Sequence, residues 1–487
     1  MARLASMSIT ALPRSSPESQ GVDPAGILAF LDALESAPDI EMHSLMIIRQ
    51  GQVISEGWWA PFAPDQVHLL YSLSKSFTST AAAFAIAEGL LDLDATVLSY
   101  FPELDSEITD PRSRSILVRH VAAMASGHLE ETIERSLAID PIEPVRGFLL
   151  IPPDREPGTV FAYNQPCTYC LAAIVQRLTG QTLTAYLRPR LFDPLGIGQA
   201  GWQQHPDGRD IGYSGLHATT DAIARLGLLY LQGGVWNGQR LLSEEWVAEA
   251  TRLQIESPNE PNPDWRQGYG YQFWMARQGY RGDGAYGQFC VVLPDQDAVI
   301  ATTGGTENMQ AVLDAVWTHL LPAMTAMTLE PSPVAEQLSA RLGGLELAAF
   351  QANPAPTASA AWDDASFLPA GGECKAQPSL TCVQLRLDRE DWQLTFLERD
   401  RPFSALVGTR GWRTNLGDTD HKTTGVPVAV SGGWTEQDTL HAEIIFLETP
   451  HRLDLSCSLD TGTFQASWRT VPLWPARLTE LRMPQHS

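Results

Sequence analysis

The stretch HLLYSLSKSFTSTAAAFAIAEGLLDLD, residues 68–94, places a lysine at the entrance of a helix that is otherwise mainly apolar. Ser72 and Lys75 are separated by one helical turn, so a helix would bring both side chains to the same face. A serine hydroxyl becomes a good nucleophile only when a nearby base takes its proton. The spacing therefore predicts a nucleophile with its base, and the alternative is a solvated lysine beside a helix cap.

A lysine can act as this base only if its pKa falls well below the usual value of about 10.4. Burial at the start of an apolar helix disfavours the ammonium form and lowers the pKa. The first turn of a helix also offers free backbone N–H groups to a developing oxyanion. We therefore expect Lys75 to be buried and uncharged beside Ser72.

Composition and charge limit the partners of the chain. Its 487 residues include 57 acidic and 33 basic side chains, which gives a net charge of −24. Nucleic acids and anionic membranes would repel this chain, so neither is expected as a partner. The six cysteines are few for the length, which is typical of reduced thiols. With no recognisable signal peptide or membrane-spanning run, the prediction is a cytoplasmic protein.

The order of elements predicts an α+β fold. A helix at 24–37 and a strand hairpin come first, helical patterns fill about residues 100–260, and strands with a final helix follow. This order favours an antiparallel sheet flanked by helices, with a helical subdomain inserted. Beyond a predicted linker at LEPSPVAEQ, apolar and polar residues alternate, as in a small C-terminal all-β domain. The predicted domains are residues 1–330 and 331–487.

Three motif-bearing segments follow one another in the order of a known superfamily. They are residues 68–103, VRHVAAMASGH at 118–128, and the segment 157–197 that begins PGTVFAYNQPC. Residues 15–320 resemble the serine β-lactamase and penicillin-binding-protein superfamily, and most of all its class C-type branch of esterases and amidases. The resemblance implies a β-lactamase/transpeptidase-like fold and an acyl-enzyme on Ser72.

The second motif of this superfamily is Tyr-x-Asn, and here it is altered. Tyr163 falls on the tyrosine position, which implies that it shares the proton transfer with Lys75. Gln165 stands at the asparagine position, with Asn164 between the two. We expect Asn164 and Gln165 to contact the substrate, although the longer glutamine side chain leaves the role of the asparagine open.

The third motif is Lys-Thr-Gly or His-x-Gly in the superfamily, and here the chain reads YRGDGAYGQF at 280–289. We align Gly282, Asp283 and Gly284 with it, and the exact register stays open. The aligned residues include no lysine or histidine, and glycine lets the backbone approach a bound acyl group closely. By this alignment the backbone N–H groups of Ser72 and Ala285 form the oxyanion hole.

The altered third motif bears on the substrate. We expect Asp283, Gly284 and Tyr286 to contact it, and Asp283 would repel an anion if it faced the site. The nearby cation is Arg281, and the alternative for Arg281 and Asp283 is a solvated pair at the end of a strand. The segment KTTG at 422–425 has one residue too many and lies in the predicted tail domain, so it is not the third motif.

Other chemistry-bearing residues favour structural roles. No serine of the sequence lies in a G-x-S-x-G turn, which argues against a Ser-His-Asp triad with His120 or His128. The pair Cys167 and Cys170 has no second pair with which to hold zinc. Four tryptophans are candidates for pocket lining or for the ordinary core: Trp58, Trp59, Trp202 and Trp274.

The sequence thus predicts a serine hydrolase that cleaves small carboxylic esters or amides and needs no metal or cofactor. Ser72 would be the nucleophile, and Lys75 with Tyr163 the general base. The alternatives are a β-lactamase, a D-amino-acid peptidase or an amidase for short oligomers and, in a different class, a non-catalytic binding or scaffold protein on the same fold. Homo-oligomerisation is left open.

Overall fold

Apolar strands and amphipathic helices assemble into a helix-covered sheet and a separate β structure. The computed structural model describes residues 11–353, 359–389, 391–399, 401–416, 425–436 and 438–485. Six strands of the first part form an antiparallel sheet in the order β2-β1-β11-β10-β9-β8. The strands up to residue 304 are β1 (Met42–Arg49), β2 (Gln52–Trp58), β3 (His68–Leu69), β4 (Ala200–Trp202), β5 (Leu216–Ala218), β6 (Val235–Trp236), β7 (Gln239–Arg240), β8 (Trp274–Met275), β9 (Tyr280–Gly284), β10 (Gln288–Leu293) and β11 (Ala298–Gly304).

Both faces of this sheet are covered by helices. Successive side chains of a strand point to opposite faces, so Leu45 and Ile47 join one core while Met46 and Ile48 join the other. This explains why the central strands are nearly continuous apolar runs rather than alternating ones. The helices up to residue 343 are α1 (Pro24–Ser36), α2 (Ser74–Ala87), α3 (Pro111–Ser115), α4 (Val118–Ala122), α5 (Ile133–Ile139), α6 (Pro144–Leu149), α7 (Gln165–Thr179), α8 (Leu183–Leu187), α9 (Asp193–Leu195), α10 (Thr220–Leu231), α11 (Glu244–Ala250), α12 (Met309–Ala315), α13 (Leu321–Ala323) and α14 (Pro333–Gly343).

Helices α3 to α9 form the predicted helical subdomain between α2 and the returning strands. Helix α2 packs against α7, and α10 packs on the same side of the sheet. Helix α7 ends at Gly180, whose φ of 65° is the left-handed conformation common after a helix. The expectation of an antiparallel sheet flanked by helices is confirmed.

The C-terminal part is a nearly closed β structure around its own apolar core. Its strand order is β15-β14-β13-β12-β20-β19-β18-β17-β16, and a bridge between Gly408 and Ser431 brings the two ends of the sheet together. The strands are β12 (Ala365–Pro369), β13 (Leu380–Asp388), β14 (Asp391–Glu398), β15 (Arg401–Leu406), β16 (Arg413–Asn415), β17 (Val428–Trp434), β18 (Thr439–Phe446), β19 (Arg452–Ser458) and β20 (Thr463–Thr470). The prediction of an all-β tail is confirmed.

The two parts share an interface. Helix α14 begins within the segment predicted as a linker, extends beyond it, and packs against α1 and β2. Ala429, Ile445 and Leu447 of the β structure join the core on the α1 side of the first sheet. The division at residue 330 stays a prediction. Of KTTG, only Gly425 lies within the described residues.

One predicted strand is mostly irregular. In GYGYQFWMA at 268–276 only Trp274–Met275 forms a strand. Positive φ angles of 99° at Gly268 and 64° at Gln272 interrupt the extended backbone. The described residues contain no helix that is long and apolar enough to cross a membrane.

Candidate active site

The segment that carries the predicted nucleophile Ser72, called the nucleophile segment below, is a 3₁₀ turn that leads directly into α2. The turn covers Tyr71–Leu73, and Lys75 is the second residue of the helix. Lys75 Nζ lies 3.0 Å from Ser72 Oγ and donates a hydrogen bond of 2.7 Å to the carbonyl oxygen of Tyr213. When the amine is neutral its lone pair can accept the Ser72 proton, so the pair has the geometry of a nucleophile and its base.

The environment of Lys75 disfavours the ammonium form of its side chain. Its exposed fraction is 1 %. Burial lowers its pKa from 10.5 to about 7, and the negative charges of Glu131 and Asp283 counteract only part of this effect. Half of the molecules therefore hold a free amine at about pH 7.

Tyr163 lies in the loop just before α7 and completes a cluster with Ser72 and Lys75. Its ring centroid is 4.7 Å from Lys75 Nζ, and its ring stacks on Trp274 at 5.2 Å. Burial raises the pKa of Tyr163 far above its usual value, and a hydrogen bond with Ser72 offsets only a part of this. Tyr163 is therefore a neutral phenol at ordinary pH, able to pass a proton on.

Asn164 and Gln165 are both tied to the neighbouring loop. The side chain of Asn164 is fully buried, and its Oδ1 accepts hydrogen bonds from Thr132 N and Oγ1, both at 2.9 Å. The backbone N–H of Gln165 donates to the carboxylate of Glu131 at 3.0 and 3.1 Å. Their contact with substrate stays a prediction. Asn164 Oδ1 is bound to Thr132, and the buried Nδ2 of Asn164 has no hydrogen-bond partner within the described residues.

Strand β9 runs against the nucleophile segment, and its glycines make this approach possible. A Cβ atom on Gly284 would lie 2.0 Å from the carbonyl oxygen of Leu70. A Cβ atom on Gly282 would lie 2.4 Å from Leu73 Cδ1 and 2.6 Å from Ser76 Oγ. Gly284 is therefore required by the close approach of the backbone before Ser72, whereas a Cβ atom at Gly282 would meet the side chains of Leu73 and Ser76.

The turn after β9 carries Ala285 and Tyr286. Ala285 is half-buried and packs against a small cluster formed by Leu69, Tyr71 and Tyr286. Tyr286 is buried, and its hydroxyl donates to the carbonyl oxygen of Val471 at 2.5 Å. Ala285 thus lies beside the residue that precedes Ser72, and its oxyanion role stays a prediction.

Arg281 and Asp283 form a buried ion pair beside the cluster. Arg281 Nε lies 3.0 Å from Asp283 Oδ2, and the exposed fractions of the two side chains are 0 % and 6 %. The guanidinium also contacts the ring of Trp265 at 4.4 Å. The alternative of a solvated pair at a strand end is wrong, because the strand lies inside the molecule rather than at its surface.

Burial raises the pKa of Asp283, and the charges of Arg281 and Lys75 counteract this. The carboxylate therefore lies close enough to influence the amine of Lys75. Its neighbour Arg281 donates through Nε and Nη1, and the buried Nη2 has no hydrogen-bond partner within the described residues. A cavity of about 750 Å³ opens beside Tyr163. Its lining includes three acidic residues: Glu130, Glu256 and Glu260.

The sequence is similar to those of known proteins. The family model described as Beta-lactamase matches residues 32–320. The chain belongs to the β-lactamase family. It is 28% identical over 318 residues to the 6-aminohexanoate-dimer hydrolase of Paenarthrobacter ureafaciens, covering 57% of this chain and 78% of that protein.

A second relative is the lovastatin esterase of Penicillium rubens, 28% identical over 188 residues, which are 34% of this chain and 47% of that protein. Among solved structures, EstCE1, a hydrolase with promiscuous acyltransferase activity, superposes with a TM-score of 0.50 at 16% identity and covers 60% of this chain and 98% of that one. That likeness shows the fold. Together with the family match, the relatives identify a serine hydrolase.

The other candidate residues of this β-lactamase-family chain hold the structure together. His120 Nδ1 accepts a hydrogen bond from Leu117 N at 3.1 Å. His128 is buried between Ser126 Oγ at 2.9 Å and the Ile151 carbonyl oxygen at 3.0 Å. Neither histidine contacts Ser72 in these hydrogen bonds, so both have structural roles.

The thiols and tryptophans divide between core and site. Cys167 and Cys170 are buried free thiols on α7. Trp59 and Trp202 are buried and donate to Glu35 and to the Ser214 carbonyl oxygen, and Trp58 packs against the core. Trp274 alone of the four stacks on Tyr163.

Among the described residues, His441, Glu443 and Asp454 form the group whose ligand atoms are close enough for a metal ion. Arg452 and Arg469 already pair with Glu443, and Arg469 also pairs with Asp454 at 2.9 Å. Since arginines neutralise both carboxylates, this group is an ion-pair network.

Sequence reasoning missed two contributors to the site. The carbonyl of Tyr213 orients Lys75 from far along the chain, and Glu131 influences the charge of the amine. No local spacing connects either residue with Lys75. The position of Glu131 a few residues after the VRHVAAMASGH segment was the one available signal.

Proposed function

We propose that Ser72 cleaves small carboxylic esters or amides through an acyl-enzyme, with Lys75 as the general base. The observation that carries this proposal is the buried Lys75 amine, 3.0 Å from Ser72 Oγ, with its pKa lowered to about 7. A neutral amine at this distance can remove the hydroxyl proton as the oxygen attacks the carbonyl carbon.

Acylation then proceeds as follows. Ser72 Oγ forms a bond to the carbonyl carbon while its proton passes to Lys75. The backbone N–H groups of Ser72 and Ala285 stabilise the oxyanion that forms. When the bond to the leaving group breaks, Tyr163 donates its phenolic proton to the departing oxygen or nitrogen and recovers a proton from Lys75.

Deacylation repeats this sequence, with water as the nucleophile and Ser72 Oγ as the leaving group. Lys75 again takes the proton, because the raised pKa of Tyr163 leaves very little phenolate at neutral pH. The carboxylic acid departs with Ser72 Oγ protonated. Both half-reactions therefore use the same amine.

The charges around the site favour a substrate without a carboxylate near the scissile bond. Asp283 is a buried acid whose charge acts on the Lys75 amine, and its arginine partner donates to Asp283 and to backbone carbonyls. Acidic residues also line the adjoining cavity. A penicillin-type carboxylate would meet this negative potential, so an uncharged ester or amide is favoured over a β-lactam.

Cleavage of amide bonds in short oligomers is the second candidate. The relative that is 28% identical over 78% of its own length is named as a hydrolase of the 6-aminohexanoate dimer. The acylation machinery does not separate this activity from that of an esterase or a D-amino-acid peptidase, so the substrate panel must include all three kinds of bond.

A fluorophosphonate probe tests the nucleophile first. Wild type should be labelled, Ser72→Ala should not, and Ser99→Ala, which removes an exposed serine on the surface, should be labelled like wild type. No labelling of wild type would support the non-catalytic scaffold instead.

A substrate panel then tests the class. It contains p-nitrophenyl acetate and butyrate, the hemisuccinate ester of p-nitrophenol, D-aminoacyl anilides, the 6-aminohexanoate dimer and nitrocefin. We expect neutral esters to exceed the anionic hemisuccinate and nitrocefin at least ~10-fold in kcat/KM, since each ~1.4 kcal/mol of repulsion is tenfold in rate. Equal rates for neutral and anionic substrates would contradict the charge argument.

A further inference from the structure

Two tyrosines flank the proposed oxyanion donors, and both have left-handed backbones. Tyr71 precedes Ser72 with φ of 47°, and Tyr286 follows Ala285 with φ of 70°. Residues other than glycine, and bulky ones above all, rarely adopt this conformation, and they do so only where the surrounding structure holds them in it. The groups that bind the hydroxyls of both tyrosines belong to the C-terminal β structure.

The hydroxyl of Tyr71 is fixed by two groups of the tail. It lies 2.8 Å from His451 Nε2 and accepts a hydrogen bond of 3.3 Å from Leu473 N. His451 Nδ1 lies 2.9 Å from the carbonyl oxygen of Thr470, which can only accept, so Nδ1 carries the proton. Nε2 is therefore the acceptor, and Tyr71 donates to it.

His451 is suited to this role because it stays neutral. Its exposed fraction is 1 %, and burial lowers its pKa from 6.5 to about 4. Protonation would replace the acceptor at Nε2 with a second donor. Over the neutral pH range, the bond from Tyr71 is retained.

The hydroxyl of Tyr286 reaches the same part of the tail. It donates to the Val471 carbonyl oxygen at 2.5 Å, two residues before Leu473. The rings of Tyr71 and Tyr286 meet edge to face at 5.7 Å, and His451 lies 5.9 and 6.0 Å from them. One short segment of the tail thus secures both turns that carry the proposed donors.

We propose that the C-terminal domain positions the oxyanion hole, with Tyr71, Tyr286 and His451 as positioning residues that do not touch substrate. The dihedral angles of Tyr71 set the orientation of the peptide that contains the Ser72 N–H group. Those of Tyr286 set the turn that leaves Ala285 at the end of β9. The inference rests on the proposed function of Ser72 and Ala285.

The test compares Tyr71→Phe and Tyr286→Phe with a matched control at another contact of the tail. Trp412 Nε1 donates to the Leu347 carbonyl oxygen at 2.8 Å, and Leu347 N donates to the Ala60 carbonyl oxygen of the first part at 2.8 Å, so Trp412→Phe removes one hydrogen bond from a chain of contacts that holds the tail to the first part. All variants are made in the full chain. The readouts are Tm, kcat and KM for p-nitrophenyl butyrate, and the Kd of phenylboronic acid, which becomes tetrahedral on a serine hydroxyl.

Removing an oxyanion donor outright lowers kcat by about 10²–10³-fold, so a misdirected donor should lower it by roughly 10–100-fold. We expect this loss in both tyrosine variants, with KM within about 3-fold of wild type and a weaker boronate Kd by a similar factor to kcat. Trp412→Phe should lower Tm and leave kcat and the boronate Kd within about 2-fold.

Tyrosine variants that lose Tm like the control while keeping kcat and boronate affinity would overturn the positioning role and leave a merely stabilising tail. If Tyr71→Phe does not fold, Tyr286→Phe decides by the same criteria. Fluorophosphonate labelling of wild type separates the two proposals. An unlabelled wild type removes the proposed function and this inference with it, whereas a labelled wild type with unchanged variants removes this inference alone.

Discussion

Protonation of Lys75 should control the activity near neutral pH. With the ordinary pKa of 10.5, about one amine in 3,000 would be free at pH 7, whereas at a pKa of about 7 half are free. The lowering of the pKa corresponds to about 5 kcal/mol of destabilisation of the ammonium form. Because a base must be deprotonated to act, kcat/KM should rise with pH, with a midpoint near 7, and level off above it.

The lysine content of the chain allows a direct measurement. Lysine occurs only at positions 75, 375 and 422, so NMR of the protein labelled with ¹³C and ¹⁵N in lysine gives few side-chain signals. The signal that disappears in Lys75→Met should titrate near pH 7. The same midpoint should appear in kcat/KM for p-nitrophenyl butyrate.

Two variants complete this test. Lys75→Ala should lower kcat/KM by about 10²–10⁴-fold, the usual contribution of a positioned base. Lys375→Ala changes an exposed lysine of the tail and should leave the pH profile unchanged. A signal of Lys75 that titrates above pH 9, or equal kcat/KM at pH 5.5 and 8, would refute the neutral-amine mechanism.

Three further outcomes follow from the same contacts. Tyr163→Phe removes the phenol that joins nucleophile and base, so the acylation burst measured by stopped flow should slow by roughly 10²-fold with an unchanged circular dichroism spectrum, and an unchanged burst would exclude the phenol from proton transfer. Gly284→Ala places a Cβ atom 2.0 Å from a backbone carbonyl oxygen of the nucleophile segment and should cost about 1–3 kcal/mol in urea unfolding. Gly343→Ala, where a Cβ atom meets nothing within 4 Å, should cost less than about 0.5 kcal/mol, and equal losses would contradict the close approach. Burial lowers the pKa values of His217 and His451 from 6.5 to about 4, so the folded state binds fewer protons than the unfolded one and stability should fall as the pH drops below 6.5, by about 2 kcal/mol per histidine at pH 5. Urea unfolding at pH 7.5 and 5 checks this, and a His217→Asn variant that loses as much as wild type on acidification would count against it.

Local patterns of apolar and polar residues predicted most of the fold. The central strands are apolar runs because both faces of their sheet are buried, and the strands of the tail alternate because only one face is buried. The strand predicted at residues 268–276 is mostly absent because the backbone bends at Gly268 and Gln272. These bends allow contacts with residues distant in the chain, such as that of Gln272 Nε2 with the Ala122 carbonyl oxygen at 2.8 Å.

The candidate site also has features that the sequence shows and features that it does not. The one-turn spacing of Ser72 and Lys75 is visible in the sequence, and the structure brings the two side chains within 3.0 Å. The burial of Arg281 with Asp283 is not visible there, because two charged residues on a strand are usually solvated. The contact between Tyr71 and His451 spans 380 residues and leaves no local pattern.

That separation has a consequence for biosynthesis. At roughly 5–20 residues per second, the ribosome needs about 20–80 s to go from Tyr71 to the histidine 380 residues later. A nascent chain that has already folded its first sheet and helices still lacks the groups that fix both tyrosine hydroxyls. The proposed positioning contacts of Tyr71 and Tyr286 therefore form only after residue 473 has been synthesised, and chains that terminate before it lack them.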